Sequence, residues 1–325
     1  MFRKSAARVA AAAVLGLMAM PAQAAEVTLT GASCFPIGSP VSKPFEAVVN
    51  EVNKQGKGII QIKMVGGAPA IGSPFTLTQK MAKGAYDMVG CTEAYFGNVL
   101  PEAPVLRFSD YSYPELRQNG GIDYMQKLFN AKGLQFIARH HTFGTFHLYT
   151  NKKITGADLT GMNIRVSPVY TAFFKSLGAT VQTSTIAQVY TYMENNTVQG
   201  FGWPLMGWIP AWAKVTKYRV DPGFYDGTLH TLVNLEKWNS LDKAQQGLLN
   251  KVGLMFEGQA DPASDGFKAL AKKQKAWFES NGVKTIALSG AERDKWVSAA
   301  KTEGWNEVLA RSPEHGPKLQ KLFTK

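Results

Sequence analysis

Apolar and polar positions along the first third of the chain follow strand spacing and helix spacing in turn. Residues 26–32 alternate as in a strand, and residues 40–53 carry valine and phenylalanine at helical spacing. A second strand at 59–65, a helix at 76–83 and a third strand at 85–90 follow. Strands that alternate with helices in this way predict a parallel α/β layout.

A second block of the same kind begins near residue 145. Its strands are predicted at 146–150, 163–166 and 198–203, and its helices at 168–177 and 185–195. Between the blocks, the pattern predicts a helix at 115–130 and a strand at 134–140. No repeat or flexible linker separates the blocks, so we expect them to pack closely and to exchange strands or helices.

The last third of the chain is predominantly helical. Residues 241–278 carry apolar side chains at helical spacing, interrupted by Pro262. Proline lacks the backbone N–H that a helix interior needs, so we expect this long helix to kink or split there. Residues 291–309 predict a cleaner amphipathic helix.

The first 24 residues have the pattern of an export signal. Three basic residues precede an apolar stretch over 9–20, and Ala22-Gln23-Ala24 forms a small-x-small cleavage site. The apolar stretch is shorter than the roughly 20 residues that a membrane-spanning helix needs. We therefore expect cleavage near Ala24, which leaves 301 of the 325 residues, and a periplasmic location.

Composition and charge exclude several classes of protein. With 45% hydrophobic and 18% charged residues, the chain can bury a large core, and its length is typical of two domains. Two cysteines are too few for a disulfide-rich scaffold or a four-cysteine zinc site. The net charge of +12 is spread along the chain without a basic run longer than two residues. This distribution favours a general attraction for small anions over a nucleic-acid-binding stripe.

Motifs for catalysis and for cofactor binding are missing from the sequence. The five histidines do not form a zinc-protease signature, and no G-x-S-x-G motif, phosphate-binding P-loop or dinucleotide-binding glycine pattern follows a predicted strand. The sequence does not decide whether two carboxylates form a catalytic pair, since spacing along the chain does not give spacing in the fold. The sequence therefore favours a binding protein over an enzyme.

Residues 144–204 carry the strongest signal in the sequence. They contain LTGMNIRV at 159–166, LGA at 177–179, QVY at 188–190 and VQG at 198–200, and upstream lie GAYDM at 84–88, AYF at 94–96 and PE at 101–102. In this order and spacing, the motifs resemble the DctP-type solute-binding proteins of tripartite ATP-independent periplasmic (TRAP) transporters. The likeness covers nearly the whole mature chain.

The resemblance implies a fold and a function. The fold is a two-lobed α/β periplasmic binding protein of type II-like form, with a sheet flanked by helices in each lobe and the ligand cleft between the lobes. We expect residues 25–143 and 231–272 in lobe I, and residues 144–230 and 273–325 in lobe II. The protein would be a monomer that binds a small organic acid, passes it to the membrane permease subunits of the transporter and catalyses no reaction.

The resemblance assigns the carboxylate clamp to Arg165. In the family, the arginine of the L-x-G-x-x-x-R strand holds the ligand carboxylate, and Arg165 occupies that position. A guanidinium offers a planar fork of donors that matches a carboxylate. An arginine at a strand end without this motif is usually a surface ion pair.

Two departures from the family pattern indicate the class of ligand. Sialic-acid-type members carry a second arginine where this chain has Phe146, and an asparagine where it has Trp203. Both changes replace a polar anion contact by an aromatic ring, which favours a monocarboxylate with an apolar or aromatic body, with a C4-dicarboxylate as the alternative. Members that bind 2-oxo acids share the tryptophan. The acidic residue that precedes it in those members is Gly202 here, which counts against a bound sodium ion and leaves no expected cofactor.

Turns after the strands of the first block supply the remaining candidates. Phe35, Glu93 and Tyr95 lie on such turns, and open α/β sheets bind ligands beyond the carboxyl ends of their strands. Glu93 has two interpretations: a contact to a ligand hydroxyl or amine, or a salt bridge elsewhere. Cys34 and Cys91 also follow strands, so they form either a disulfide, contributing about 4 kcal/mol, or two small buried apolar residues.

Two other functions remain open at this stage. An exported sensor subunit would present the same ligand to a membrane receptor instead of a permease. A periplasmic enzyme could use the same two-lobed scaffold, because fold does not fix function.

Overall fold

A continuous mixed sheet of ten strands organises residues 26–325, which the computed structural model describes. The strand order is β2-β1-β3-β9-β4-β7-β5-β6, with β8 paired to β4 and β10 paired to β8. The strands are β1 (Val27–Ser33), β2 (Ile60–Gly67), β3 (Met88–Cys91), β4 (Leu134–Thr150), β5 (Asn163–Val166), β6 (Thr180–Thr183), β7 (Gly200–Pro204), β8 (Tyr218–Asp221), β9 (Asp226–Asn234) and β10 (Lys284–Ala287). The export signal predicted over residues 1–24 lies outside the described residues.

Helices flank this sheet. They are α1 (Lys43–Gln55), α2 (Pro74–Ala82), α3 (Glu93–Phe96), α4 (Tyr113–Gln118), α5 (Gly121–Ala131), α6 (Thr171–Ser176), α7 (Val189–Glu194), α8 (Leu235–Ser240), α9 (Lys243–Gln259), α10 (Asp265–Ser280), α11 (Gly290–Arg311) and α12 (Gly316–Phe323). Short 3-10 turns lie at Ala103–Arg107, Pro168–Tyr170, Ile186–Gln188 and Pro210–Val215. The α/β class predicted from the sequence is confirmed, but the sheet is mixed and not purely parallel, because β9 pairs antiparallel with β3 and β4 and β4 pairs antiparallel with β7 and β8.

The first half of the sheet follows the predicted alternation closely. Strand β1 pairs in parallel with β2 and β3, and helix α1 lies between β1 and β2 in the chain. The helix buries Phe45, Val48 and Val52 in a core shared with the strands, which accounts for its helical spacing of apolar residues. The parallel strands therefore end at one edge, and the turns that follow them lie close together.

Strand β4 joins the two halves of the sheet. The sequence predicts two separate strands, at 134–140 and 146–150, but the structure contains one strand of 17 residues. Its first part pairs with β9 and its last part with β7, and Gly144 has a left-handed φ of +79° within one of the register shifts against β9. Three shifts of register against β9 let the strand turn from one half into the other. The expected exchange of elements between blocks therefore takes place through β4.

Several helix boundaries differ from the predictions. The helix predicted over 115–130 is two helices, because Gly120 has a left-handed φ of +82° between α4 and α5. Ser112 begins α4 with a capping box to Glu115, so α4 starts earlier than predicted. The split expected at Pro262 is confirmed by the end of α9 at Gln259 and the start of α10 at Asp265.

The sequence pattern gave no signal for strands β6 and β10 or for helix α12. Both strands have four residues and are largely exposed, so they lack a regular apolar pattern. No helix between residues 26 and 325 is both long enough and apolar enough to cross a membrane.

Candidate ligand-binding site

One cavity lies where the two halves of the sheet meet, with a volume of about 30 Å³. Its wall is built from the ends of strands and the turns beyond them on both halves. The lining residues are Phe35, Val41, Thr92, Ala94, Tyr95, Phe143, Phe146, Arg165, Ser167, Tyr170, Trp203, Pro204, Gly227, Thr228 and Leu229. Five of the six predicted ligand-binding residues are in this wall, and Glu93 is not.

Arg165 is the charged group of this wall. Strand β5 ends one residue later, and parallel pairing with β6 and β7 fixes its backbone. The side chain is 1% exposed. Its Nε donates to the Ser184 hydroxyl at 3.2 Å, and Nη2 donates to the Ser184 backbone carbonyl. No carboxylate of residues 26–325 lies within 4.0 Å of the guanidinium, so its charge stays without a counter-ion in the protein.

Three hydroxyl groups stand near this guanidinium in the wall. The Ser167 hydroxyl is buried without a hydrogen-bond partner among the described residues. Burial raises the pKa of the Tyr95 hydroxyl to about 12, against the opposing effect of Arg165, so this group is protonated at neutral pH and can donate. The Tyr170 hydroxyl donates to the Gly202 carbonyl at 3.0 Å. Arg165 and Ser167 together offer the donors that a carboxylate accepts from.

Ser167 was not among the binding residues predicted from the sequence, although the sequence contains a signal for it. Ser167 stands two residues after Arg165 at the carboxyl end of β5, so alternation along the strand places both side chains toward one face. An unpartnered buried hydroxyl costs about 1 to 3 kcal/mol, and such groups in native proteins call for a specific explanation. A ligand oxygen at this position would supply the missing partner.

Aromatic rings form the rest of the wall. Trp203 is 5% exposed, donates its indole N–H to the Gly207 carbonyl at 3.1 Å and packs edge-on against Trp212 at 4.8 Å between ring centroids. Phe146 packs against Tyr170 at 5.3 Å between centroids. Trp212 lies behind the wall, so of these two tryptophans only Trp203 reaches the cavity.

Glu93 lies behind the wall and does not line the cavity. Its carboxylate is fully buried, accepts from Arg107 Nε at 2.6 Å and from the Thr228 hydroxyl at 2.8 Å, and lies 3.2 Å from His230 Nδ1. Burial alone would raise the pKa of this carboxyl, but the charge of Arg107 and the contact with His230 lower it to about 2. The salt-bridge interpretation of Glu93 therefore agrees with this geometry, and a ligand contact does not, because its oxygens already have protein partners.

A disulfide joins Cys34 and Cys91 at the carboxyl ends of β1 and β3, with 5.1 Å between the Cα atoms. The residues on either side of it lead into the cavity wall. Phe35 follows Cys34, and its ring lies 5.5 Å from that of Tyr95, four residues after Cys91. The bond therefore ties together the two turns that supply the first half of the wall.

Position 202 has little room for any side chain. The chain has Gly202 there, and a Cβ at this position would come within 2.8 Å of the Tyr170 ring. Tyr170 therefore fills the space that an acidic side chain would need. Within the described residues, no group of three or more histidine, cysteine or acidic side chains is arranged to hold a metal ion.

Comparison with known families gives one match over most of the chain. The model of the DctP family, described as bacterial extracellular solute-binding protein, family 7, matches residues 32–311. This range contains every residue of the cavity wall.

Solved structures share the fold at low sequence identity. A TRAP periplasmic solute binding protein from Desulfovibrio salexigens with bound orotic acid has a TM-score of 0.77 at 20% identity, covering 91% of this chain and 97% of its own. One from Rhodoferax ferrireducens with bound malonate has a TM-score of 0.77 at 20% identity, covering 90% and 96%. DctP7, a Bordetella pertussis extracytoplasmic solute receptor binding pyroglutamic acid, has a TM-score of 0.77 at 14% identity, covering 91% and 99%. These similarities confirm the two-lobed architecture.

Proposed function

The chain belongs to family 7 of the bacterial extracellular solute-binding proteins, the DctP family, and from this membership we propose that it is the solute receptor of a TRAP transporter. It binds a small organic acid in the periplasm and passes it to membrane permease subunits, and it acts as a monomer without chemical turnover. Three solved relatives of the same fold bind orotic acid, malonate and pyroglutamic acid, all of them compact organic acids.

The observation that carries this proposal is the state of Arg165. A buried cation without a counter-ion is unfavourable for folding, since an ion taken out of water needs an opposite charge or hydrogen bonds in return. Arg165 donates two hydrogen bonds to Ser184 and faces the cavity. A carboxylate ligand would supply the opposite charge, so the site is arranged for an anion.

We propose a monocarboxylate, such as a 2-oxo acid or an aromatic or aliphatic acid, as the ligand class. Arg165 is the only basic residue of the cavity wall, and most of the other lining side chains are aromatic or aliphatic. A second carboxylate on the ligand would lose its hydration on entering the cavity, and the wall has no second cation to compensate for that loss. The lack of an acidic side chain at Gly202 supports binding without a metal ion. The small cavity volume supports a receptor whose two halves separate to admit the ligand.

A C4-dicarboxylate is the second candidate. The relative from Rhodoferax ferrireducens binds malonate, a dicarboxylate, on the same fold. The wall of the present cavity favours the monocarboxylate, because it contains one cationic group.

The test is thermal unfolding of the mature protein, refolded free of copurified ligand, against 2-oxo, aromatic, aliphatic and dicarboxylic acids. An acid present at 100 times its dissociation constant stabilises the protein by about 2.7 kcal/mol, which shifts the midpoint by several degrees. Shifts confined to monocarboxylates are expected. Shifts by dicarboxylates alone would contradict the ligand class, and the absence of a shift with every acid would contradict the receptor function.

Arg165→Met is the matched variant in this experiment. Loss of the cation should weaken binding of the responding acid by roughly 10-fold to 1,000-fold, as for a buried charge partner worth about 1.4 to 4 kcal/mol. Titration calorimetry on wild type and variant measures the ratio. Wild-type affinity in a folded Arg165→Met protein would refute the assignment of Arg165 as the clamp.

A further inference from the structure

A second guanidinium lies directly behind the wall of the ligand cavity. The central carbon of the Arg107 guanidinium is 5.1 Å from the centroid of the Phe146 ring. Phe146 is one of the lining residues, whereas Arg107 is not, and Arg107 is 1% exposed. The ring therefore borders the cavity and also packs against a buried cation.

Arg107 retains hydrogen-bonding capacity that its protein partners do not use. Nε donates to Glu93 at 2.6 Å, and Nη2 makes a long contact of 3.4 Å to the Thr92 hydroxyl. Nη1 is buried and has no hydrogen-bond partner among the described residues. The π-face of Phe146 is attractive to a cation, which accounts for the close packing of the ring, but it does not replace a hydrogen-bond acceptor.

The carboxylate of the ion pair, Glu93, already has several partners in the protein. Glu93 accepts hydrogen bonds from Arg107 and from Thr228, and His230 lies beside its second oxygen. An additional anion near Arg107 would therefore not have to displace Glu93, because Nη1 is free to donate to it.

From these contacts we propose that Phe146 makes this receptor select monocarboxylates by covering Arg107, which is a second carboxylate-binding group that the ring keeps out of reach. The proposal rests on the receptor function proposed above. In the native protein, the second carboxylate of a dicarboxylate would meet the apolar ring and lose its hydration. With the ring removed, it would meet the guanidinium and Nη1.

The experiment compares acids that differ by one terminal carboxylate. Butyrate is paired with succinate and pentanoate with glutarate, and titration calorimetry gives the ratio of dissociation constants within each pair. In wild type, the ratio should favour the monocarboxylate. Phe146→Ser should shift the ratio toward the dicarboxylate by at least 10-fold. Phe146→Thr, whose branched side chain suits a strand, provides a second test should the serine variant fail to fold.

Two further variants identify the cause of the shift. Phe146→Leu keeps an apolar cover over Arg107, so it should weaken both acids of a pair alike and leave their ratio within about 3-fold of wild type. A triple variant combines Phe146→Ser with Arg107→Met and Glu93→Gln and so lacks the whole ion pair. It should abolish the gain in affinity for the dicarboxylate. Circular dichroism confirms that each variant is folded.

The outcomes separate this proposal from the receptor function. An unchanged ratio in folded Phe146→Ser and Phe146→Thr would refute the role of the ring as a cover. A shift that persists after the ion pair is removed, or that also occurs in Phe146→Leu, would refute the role of Arg107. If wild type bound no acid of the wider panel, the receptor function itself would fail, whatever the variants did.

Discussion

Two arginines on opposite sides of one cavity wall differ in what their charge is used for. Arg165 and Arg107 are equally buried, each 1% exposed, and each belongs to the region around the ligand cavity. Arg165 faces the cavity and has no carboxylate partner among residues 26–325, whereas Arg107 lies behind the wall in an ion pair with Glu93. Burial of an arginine therefore does not by itself identify a binding group, and the proposal for Arg165 depends on its place in the cavity wall together with the lack of a carboxylate partner.

The two environments have opposite consequences for folding. Arg107, Glu93 and the groups around them form a closed network, so removal of one member leaves a buried charge without its partner. Arg165 lacks such a partner within residues 26–325, so folding already includes the unfavourable burial of its charge. Binding of an anion recovers that free energy, which links the affinity of the site to the instability of the free protein.

The largest expected effect is a loss of protein stability when Arg107 is replaced but not when Arg165 is replaced. Arg107→Met leaves Glu93 buried without its cation and should reduce the free energy of unfolding by about 3 to 5 kcal/mol. Arg165→Met removes an unpaired buried charge and should change stability by less than about 1 kcal/mol, or raise it. Urea unfolding of the ligand-free proteins, followed by circular dichroism, measures both values. Equal losses in the two variants would remove the basis of the comparison.

The acidity of Glu93 gives a pH-dependent form of the same comparison. Its pKa in the folded protein is about 2, below the ordinary value of 4.5, so its contribution to stability is complete above pH 4.5 and is lost as the pH falls toward 2. Glu93→Gln does not titrate and should be less stable than wild type by about 3 kcal/mol at pH 7. This difference should shrink as the pH falls from 4.5 to 2. Because the stability of the variant is subtracted from that of wild type at each pH, the titration of all other carboxyls cancels. A constant difference in stability over that range would contradict the low pKa of Glu93.

The sequence was sufficient to predict the cavity-facing side of this comparison. Arg165 and Trp203 lie near the ends of β5 and β7, Tyr95 lies in the short helix α3 that follows β3, and parallel strands bring such ends to a common edge. Local spacing and the family motif therefore carried enough information to bring these residues to one cavity. The alternation of strands and helices in the first half of the sheet was predictable for the same reason, since each signal is contained within a few residues.

The side behind the wall was not predictable, because it depends on contacts between distant parts of the chain. Glu93 meets Thr228 and His230 from strand β9, more than 130 residues away, and no local pattern records such a contact. The continuity of β4 was missed for a related reason. Local spacing predicts strands that end at residue 140 and restart at residue 146, whereas pairing with β9 and β7 continues the strand through the residues between them.

Trp203→Ala extends the comparison from charge to the apolar part of the cavity. The variant removes a ring from the wall but keeps Arg165, so we expect acids with long or aromatic bodies to lose about 10-fold more affinity than acetate or propionate. Titration calorimetry with phenylacetate and propionate measures this difference. Trp212→Phe is the control, because Trp212 packs on Trp203 without reaching the cavity, and it should leave the ratio of the two affinities unchanged. Equal losses for both acids in Trp203→Ala would show that the ring does not contribute to selectivity.

The smallest expected effect concerns the residue that orients Arg165. Ser184 accepts two hydrogen bonds from the guanidinium, one through its side chain and one through its backbone carbonyl, and Ser184→Ala removes only the first. The retained carbonyl contact should limit the loss of affinity for the bound acid to about 3-fold, the value of one net hydrogen bond of less than 1 kcal/mol.

The stability of Ser184→Ala should stay within about 1 kcal/mol of wild type. Thr228→Val, which loses a hydrogen bond to the buried Glu93, should instead be less stable by about 1.5 to 3 kcal/mol. Ser176→Ala, which removes a hydroxyl bonded only within α6, controls for the loss of a serine as such. An affinity loss above 30-fold in Ser184→Ala would mean that the side chain alone holds Arg165 in place, and no loss would mean that the backbone carbonyl does so without it.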